Sequence, residues 1–456
     1  WCSCGDCMGN RVVPPSLIRR GRHAWLSPRL WLRRVVLWIG AVLVGIVAIA
    51  FAISAEYANS LHQVVAEFSP LLPFVVGPAG LALVVWLTRK FFPGSQGSGI
   101  PQTIAAINTE NEERRGHYLS IRLALGKFLL TVIGLFSGAS VGREGPTVQI
   151  GASIMQSLGR FTRFSRVETK RGLILAGGAA GVAAAFNTPL AGIVFAIEEM
   201  SRNYESRTSG TVLTSVIVAG IVSIWWLGDY TYFGTTSAIL NGSSAWIPVI
   251  VCGVVGGVLG GIFSQLLIFI SRGIPGKVGI LAKTNPVIFA AFCGFLLAVI
   301  GAFSGSSTYG TGYHEARMIL EGTGEIPESF GILKLLATLV SYVSGIPGGV
   351  FAPSLAVGAG LGQNIAQIMP YVPLGAVVVL GMVAYFAGVV QAPVTAFVIV
   401  MEMTDNHDMI VPLMAASLLA AGCSKVVCRK PLYRALADQF LSDAPLKESE
   451  SDTRDK

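Results

Sequence analysis

Two glutamates stand out because each lies in a part of the chain that is otherwise almost free of charge. Glu144 lies between glycines in the motif Gly142-Arg143-Glu144-Gly145-Pro146, and uncharged residues flank that motif on both sides. Glu199 follows the uncharged run 172–197 and its neighbour Glu198. An ionisable side chain in an apolar, membrane-like setting is costly and usually marks an ion or proton pathway. The two carboxylates are therefore candidate functional residues of such a pathway.

Three stretches combine glycines, a proline and a run of small residues. They are "GSGIPQTIAAI" from Gly97, "GREGPTVQIGASI" from Gly142 and "GIPGGVFAPSLAVGAGLG" from Gly345. Proline in the first turn lacks an N–H where no helical partner exists, and glycine lets backbone amides approach a ligand. Helix N-termini attract anions, so three converging starts predict an anion site without a bound cation. Taken singly, each motif is also typical of a packing kink.

Two hydroxyl groups and one lysine could complete such a site. Ser98 lies inside the first motif, and Tyr433 follows a proline just beyond the last apolar run. Tyr433 could reach a cytoplasmic mouth or belong to an interfacial belt of aromatic residues. Lys127 is alone in "LALGKFLLTVIG". It could add positive potential from a distance, or its side chain could snorkel to the membrane surface.

The composition places these residues in a membrane protein. The 456 residues are 52% hydrophobic and 13% charged, with a mean hydropathy of +0.64. Several stretches longer than the roughly 20 residues that cross a bilayer lack any charged residue or histidine: they are 35–55, 172–197, 245–271, 285–313 and 371–401. We therefore predict a polytopic helical membrane protein. No basic patch with interleaved aromatic residues indicates a nucleic-acid partner.

The basic residues indicate how the chain is oriented. Residues 1–31 form a basic leader, and lysines and arginines also flank the last apolar run, so the positive-inside rule predicts that both termini are cytoplasmic. A signal peptide cleaved near Ala50-Phe51-Ala52 is the rival interpretation, but the apolar run is longer than a usual signal sequence. Residues 442–456 read as a short polar tail. Cys2, Cys4 and Cys7 could bind a metal, although a disordered leader is the interpretation that we favour, so we predict no metal and no cofactor.

An internal repeat divides the chain into 32–230 and 245–441. Residues 176–200 align without a gap on residues 380–404, which pairs Pro189 with Pro393 and Glu198 with Glu402. Residues 142–152 align in the same way on residues 349–359. Two such halves with both termini on one side predict an inverted repeat, which commonly builds a site at the membrane midplane. Glu198 and Glu402 would have a structural role at helix ends, whereas Glu199 faces Met403 in the alignment and breaks the repeat.

The motifs GSGIP, GREGP, GGVFAP, FNTPLAGIVFAIEEM and EMTDN, in this order, resemble the CLC family of chloride channels and chloride/proton antiporters. The likeness runs from about residue 32 to residue 441. It implies an all-α polytopic CLC-type fold with two inverted-topology repeats of tilted and broken helices. It also implies a homodimer in a bacterial inner membrane, of the prokaryotic type without regulatory CBS domains.

The resemblance assigns roles to particular residues. Glu144 matches the gating glutamate, and Glu199 matches the internal proton-transfer glutamate, a position that is apolar in channel members. Ser98 and Tyr433 match the central hydroxyls, and a serine at position 98 favours chloride. Val350 and Phe351 match the residues whose amides face the ion. Gly142, Arg143, Gly145 and Gly349 belong to the same two motifs and complete the expected chloride site.

The sequence therefore predicts a secondary-active chloride/proton antiporter, with chloride and protons as substrates. A passive channel on the same scaffold is the alternative. An intramembrane hydrolase using Ser98 is a third hypothesis, but no histidine lies within a long uncharged segment to serve as its base. We therefore expect no enzymatic activity.

Overall fold

The computed structural model describes residues 28–161, 167–201, 206–228, 231–240 and 246–442. The side chains of 28–30, 161, 167–169 and 206–209 are not described. The cysteine cluster, most of the leader and the tail beyond Ser442 lie outside these ranges. The described residues are overwhelmingly helical, as predicted. The helices of the first half are α1 Pro28–Phe68, α2 Pro73–Phe91, α3 Ile100–Asn108, α4 Glu112–Tyr118, α5 Ile121–Phe136, α6 Glu144–Phe161, α7 Val167–Phe186, α8 Pro189–Phe195 and α9 Ser206–Leu227.

The second half repeats this pattern of long and short helices. Its helices are α10 Trp246–Ser271, α11 Gly276–Thr284, α12 Pro286–Phe303, α13 Tyr313–Glu321, α14 Phe330–Val343, α15 Phe351–Ile368, α16 Leu374–Val390, α17 Pro393–Thr404, α18 Ile410–Val427 and α19 Leu432–Ser442. Among the described residues, seven helices are long and apolar enough to cross a membrane. The protein is an integral membrane protein.

Two of the uncharged runs are not single membrane-spanning helices. The run 172–197 breaks between α7 and α8, and the run 371–401 breaks between α16 and α17. At the breaks, Asn187 and Gln391 adopt left-handed backbone conformations with φ of 57° and 58°. A proline follows two residues later in both cases and starts the next helix. Helices broken in this way can end inside the protein and line a site.

Close glycine contacts occur at corresponding places in both halves. Gly151 on α6 packs against Gly177 on α7, and a Cβ atom on either residue would overlap the carbonyl oxygen of the other. Gly358 on α15 and Gly381 on α16 make the same mutual contact. Because each helix pair meets at backbone distance, the repeat found in the sequence is also a repeat of helix packing.

The two halves are joined by a reciprocal pair of carboxylate caps. Glu198 accepts hydrogen bonds from the backbone N–H groups of Val394 (3.1 Å) and Thr395 (2.6 Å) at the start of α17. Glu402 accepts them from Leu190 (3.1 Å) and Ala191 (2.7 Å) at the start of α8. Each carboxylate satisfies free amides of a helix start in the opposite half. The predicted structural role of both glutamates at helix ends is confirmed.

The core of the second half is built around α16. Every residue from Ala376 to Val390 is buried, which is typical of a helix that is apolar on all sides. The α10 glycines Gly256 and Gly260 let this long helix approach the backbone of α16 at Tyr385. This close apolar packing surrounds α16, the helix that precedes the break at Gln391.

Candidate ion site at the junction of three helix starts

The three glycine–proline motifs meet through backbone hydrogen bonds. The N–H of Gly142 donates to the carbonyl of Gly349 (2.6 Å), and Gly349 donates back to Gly142 (2.8 Å). Gly97 donates to Ile346 (3.1 Å), and Gly348 donates to Gly97 (3.1 Å). The third motif therefore bridges the other two. The convergence that the sequence predicted is present in the structure.

Backbone geometry explains why glycine is needed at this junction. Gly99 has φ of 99° and caps α3, and a Cβ atom there would lie 3.0 Å from the carbonyl oxygen of Gly145. A Cβ on Gly145 would collide with the hydroxyl oxygen of Ser98. Only glycine allows both the left-handed conformation and these close approaches. Proline then lies in the first turns of α3, α6 and α15, so the helix starts direct their free amides toward the junction.

Glu144 begins α6 and points toward the start of α15. Its carboxylate lies beside the backbone N–H of Ala352 and the hydroxyl of Tyr232, but neither of its oxygens makes a hydrogen bond of ordinary geometry among the described residues. The side chain is 1% exposed. Gly142 makes room for it, since a Cβ at that position would overlap the carboxylate. An anionic group therefore occupies a position at which a helix start favours negative charge.

Two hydroxyls lie on the other side of this junction. Ser98 and Tyr433 are both buried, and their oxygens lie close together without a direct hydrogen bond of ordinary geometry between them. Neither oxygen has another hydrogen-bond partner among the described residues. Tyr433 lies in the first turn of α19 and is completely buried. The interpretation of Tyr433 as an interfacial belt residue is therefore wrong. The two hydroxyls supply hydrogen-bond donors in a dry setting, as an anion site requires.

Val350 and Phe351 begin α15 beside Glu144. Val350 caps the helix and Phe351 is its first residue, so their backbone amides belong to the free end of the helix. The phenyl ring of Phe351 packs on Phe386 at 4.3 Å and on Phe186 at 5.2 Å between ring centroids. The Phe351 side chain is thus held in an aromatic cluster, while its backbone amide belongs to the free start of the helix.

Glu199 lies in a turn of π-helix, Ala196–Ser201, that continues α8. The side chain is 3% exposed. Tyr433 lies within electrostatic range of both Glu199 and Glu144, so both carboxylates are near the same tyrosine. Short π-helical turns are frequent at functional sites because they redirect side chains. Here the turn separates the roles of adjacent residues, with Glu198 capping α17 and Glu199 buried near Tyr433.

Lys127 does not snorkel to the membrane surface, so that interpretation is wrong. The lysine is fully buried, and its Nζ donates to the carbonyls of Gly97 (2.8 Å) and Gln96 (3.4 Å). These carbonyls belong to the chain that leads into the first motif. Lys127 therefore holds the loop of Ser98 in place close to the junction.

Tyr232 is a residue of this site that the sequence did not reveal. It is buried in the irregular segment 231–240, and the Arg143 guanidinium lies over its ring at 5.4 Å. Its hydroxyl lies beside the Glu144 carboxylate. The segment has no periodic pattern, and the contact joins residues about ninety positions apart. No local signal in the sequence indicates it.

This arrangement is typical of a class of protein, the helical membrane transporters in which broken helices from two repeats meet at a candidate ion site. The model of the voltage gated chloride channel family matches residues 80–425, and the chain belongs to that family, also called CLC. The resemblance seen in the motifs is confirmed.

Solved structures with the same fold include transporters for two different anions. A slow cyanobacterial Cl⁻/H⁺ antiporter is 26% identical, with a TM-score of 0.78, and the match covers 92% of this chain and 99% of that one. A CLC-type fluoride/proton antiporter is 22% identical (TM-score 0.76), with coverage of 89% and 98%. A eukaryotic CLC transporter is 23% identical (TM-score 0.71), with coverage of 90% and 74%. The predicted CLC-type fold is confirmed, and the protein is a CLC family transporter.

Proposed function

We propose that the protein is a secondary-active chloride/proton antiporter in which Glu144 gates the anion site and Glu199 transfers protons on the inner side. The observation that carries the proposal is that two buried glutamates, Glu144 and Glu199, both lie near the buried Tyr433. The similarity to the cyanobacterial Cl⁻/H⁺ antiporter supports the same choice of substrates.

In this mechanism, chloride is bound by the Ser98 and Tyr433 hydroxyls and by the free amides of α15 at Val350 and Phe351. No lysine or arginine needs to contact the ion, so it is bound weakly enough to leave. The motif residues Gly142, Arg143, Gly145 and Gly349 form the wall of the site. Ionised Glu144 competes with chloride for the start of α15. Once it is protonated, its side chain loses that attraction, moves outward and admits the ion.

Glu199 supplies the second proton step. Chloride leaves on the inner side past Ser98 and Tyr433, whereas the proton passes between Glu144 and Glu199. Ionised Glu144 and chloride compete for one position, so an ion can enter only after Glu144 takes up a proton. This competition would couple the movement of anions to the movement of protons in the opposite direction.

The orientation and assembly follow the same proposal. The basic residues near both ends of the sequence support cytoplasmic termini by the positive-inside rule, and the similarity to a cyanobacterial antiporter supports a bacterial inner membrane. Glu56 lies 28 residues after the start of α1, about 42 Å along the helix axis, which exceeds the hydrocarbon thickness of about 30 Å. The end of α1 is therefore on the outer side. We also propose a homodimer with one site in each subunit.

The test is a flux measurement with purified protein in liposomes. A chloride gradient is imposed without a proton gradient, valinomycin clamps the voltage, and the external pH is followed. We expect protons to move against their own gradient in the wild-type protein, and this movement to vanish in Glu144→Ala. Chloride flux without any proton signal would instead make the protein a passive channel. A parallel assay with fluoride, in which the wild-type protein carries chloride faster, tests the substrate.

A further inference from the structure

A polar face of α1 is bound to a loop on the outer side of the site. Glu56, Asn59 and His62 are spaced at intervals of three residues and therefore lie on one face of the helix. In the same order they contact Tyr313, Gly310 and Tyr309. The rings of His62 and Tyr309 pack edge to face at 4.4 Å between centroids. The loop before α13 therefore lies against the first helix along three consecutive contacts.

The strongest of these contacts is a hydrogen bond to a charged group. The Tyr313 hydroxyl donates to Oε1 of Glu56 at 2.7 Å. Glu56 is exposed and Tyr313 is half-buried, so the bond lies at the edge of the protein. Hydrogen bonds to an ionised carboxylate are shorter and stronger than those between neutral groups.

Tyr313 is connected through one ring to the Glu144 site. Its ring packs on that of Tyr232 with a centroid distance of 5.1 Å. Tyr232 in turn lies under the Arg143 guanidinium and beside the Glu144 carboxylate. The side chains of Glu56, Tyr313, Tyr232 and Glu144 thus form a continuous series from the exposed surface to the buried carboxylate.

The loop is also held from the opposite side, which makes its position well defined. The fully buried Lys334 Nζ donates to the carbonyls of Thr308 (2.9 Å), Tyr309 (3.3 Å) and Gly310 (2.8 Å). Lys334 fixes the backbone of the loop. The direction of the Tyr313 side chain then depends on its hydrogen bond to Glu56.

We propose that Glu56 and Tyr313 are a positioning pair for the outer gate, which holds Tyr232 at the place where the protonated Glu144 side chain must move. This inference rests on the proposed gating role of Glu144. Breaking the pair releases the Tyr313 ring, loosens Tyr232 and changes how readily outside protons open the site. In this proposal neither Glu56 nor Tyr313 contacts chloride.

Several other charged and titratable groups face this pair, and their contributions have to be separated from it. Around Tyr313 they are Arg143 before α6, Glu315 on α13 and Tyr232; around Tyr309 they are His62 on α1 and Lys334 on α14. None of these groups is changed in the variants below. A difference in flux between the variants is therefore due to the Glu56–Tyr313 hydrogen bond.

The experiment measures chloride flux in liposomes while the outside pH is varied at fixed inside pH, and then the reverse. Tyr313→Phe keeps the ring and removes the hydroxyl. Glu56→Gln keeps an oxygen that can accept the bond, whereas Glu56→Ala does not. Tyr57→Phe is the matched control, since Tyr57 is adjacent on α1 and 69% exposed.

We expect Tyr313→Phe and Glu56→Ala to change the flux at a given outside pH by about fivefold, a modest coupling between sites. Glu56→Gln should restore most of the wild-type profile, and Tyr57→Phe should match it. The dependence on inside pH should be unchanged, which a general loss of folding would not produce. In a Glu144→Ala background, Tyr313→Phe should have no further effect.

A Tyr313→Phe profile that superimposes on the wild type would overturn the inference. So would Glu56→Gln behaving like Glu56→Ala, since the charge of Glu56 would then act without the bond. If Tyr313→Phe does not fold, the two Glu56 variants still decide. Failure of the proposed function is a separate result, namely wild-type liposomes that move no protons uphill or a Glu144→Ala variant that gates normally.

Discussion

The two halves of the molecule place different side chains at matching positions of one framework. Glu144 at the start of α6 corresponds to Phe351 at the start of α15, and Glu199 corresponds to Met403. In contrast, the caps Glu198 and Glu402 are equivalent, and their hydrogen bonds agree within 0.1 Å. The glutamates that cap the helices are thus present in both halves. At the positions of Glu144 and Glu199, by contrast, only the first half has a side chain that can take up a proton.

The buried lysines extend this comparison. Lys127 holds the loop Gly97-Ser98-Gly99, and Lys334 holds Gly310 before Thr311 and Gly312. Gly99 and Gly312 both have left-handed conformations and cap helices of nine residues, α3 and α13. One loop presents Ser98 to Tyr433, whereas the other is bound to α1. The same arrangement of a buried lysine and a glycine-capped helix therefore supports the proposed ion site in one half and a contact with α1 in the other.

The largest effect on transport is expected from a change at Glu199, where the repeat is broken because the matching residue is Met403. In Glu199→Ala we expect proton movement to fall about 100-fold or more, as for the loss of an acid–base group, while chloride flux persists. Proton and chloride fluxes are measured together in liposomes. Met403→Leu, a volume-conserving change at the matching position, should leave both fluxes unchanged. Intact coupling in Glu199→Ala would show that this carboxylate transfers no proton.

A smaller effect should distinguish the two buried lysines. Lys127→Met and Lys334→Met each leave carbonyl groups without a donor, at a cost of roughly 1–3 kcal/mol per group in stability. Only Lys127 lies beside the Ser98 loop, where a protonated amino group would attract chloride, so we expect chloride affinity to fall about fivefold in Lys127→Met alone, equal to roughly 1 kcal/mol of Coulomb attraction. Calorimetric titration with chloride measures the affinity. An equal loss in both variants would mean that Lys127 acts through folding.

The smallest effect should be the same in both halves. Glu198→Gln and Glu402→Gln each weaken one pair of hydrogen bonds at a helix start, which should lower stability by about 1 kcal/mol. The apparent melting temperature in detergent measures this, with the exposed Glu325→Gln as the matched control. A drop several times larger for one variant would break the equivalence of the two caps.

Much of the helical framework and of the candidate ion site could be predicted from the sequence, because both depend on local signals. Proline preceded by glycine favours a helix start, and the alignment of residues 176–200 on 380–404 needs no three-dimensional information. The helix breaks at Asn187 and Gln391 were less visible. Hydropathy is the same on both sides of each break, and only the proline two residues later signals it.

The remaining features depend on packing between distant residues. Tyr232 and Tyr313 lie at the ends of irregular segments, and their partners Arg143 and Glu56 are far away in the chain. The direction of the Lys127 side chain could not be predicted either. A lysine within an apolar helix reaches either the interface or a set of buried carbonyls, and the choice depends on which loop packs against that helix face.

The reciprocal caps have a consequence for the origin of the fold. A contact in which residue i of one unit meets residue j of the other, and j meets i, is the contact of an isologous dimer. Two copies of a single ancestral half, inserted into the membrane in opposite directions, would form the same caps and the same glycine crossings. Gene fusion would then have fixed the pair in one chain. After that step, the position of Glu144 in one half and of Phe351 in the other could change independently, and a symmetric assembly could acquire an inside and an outside.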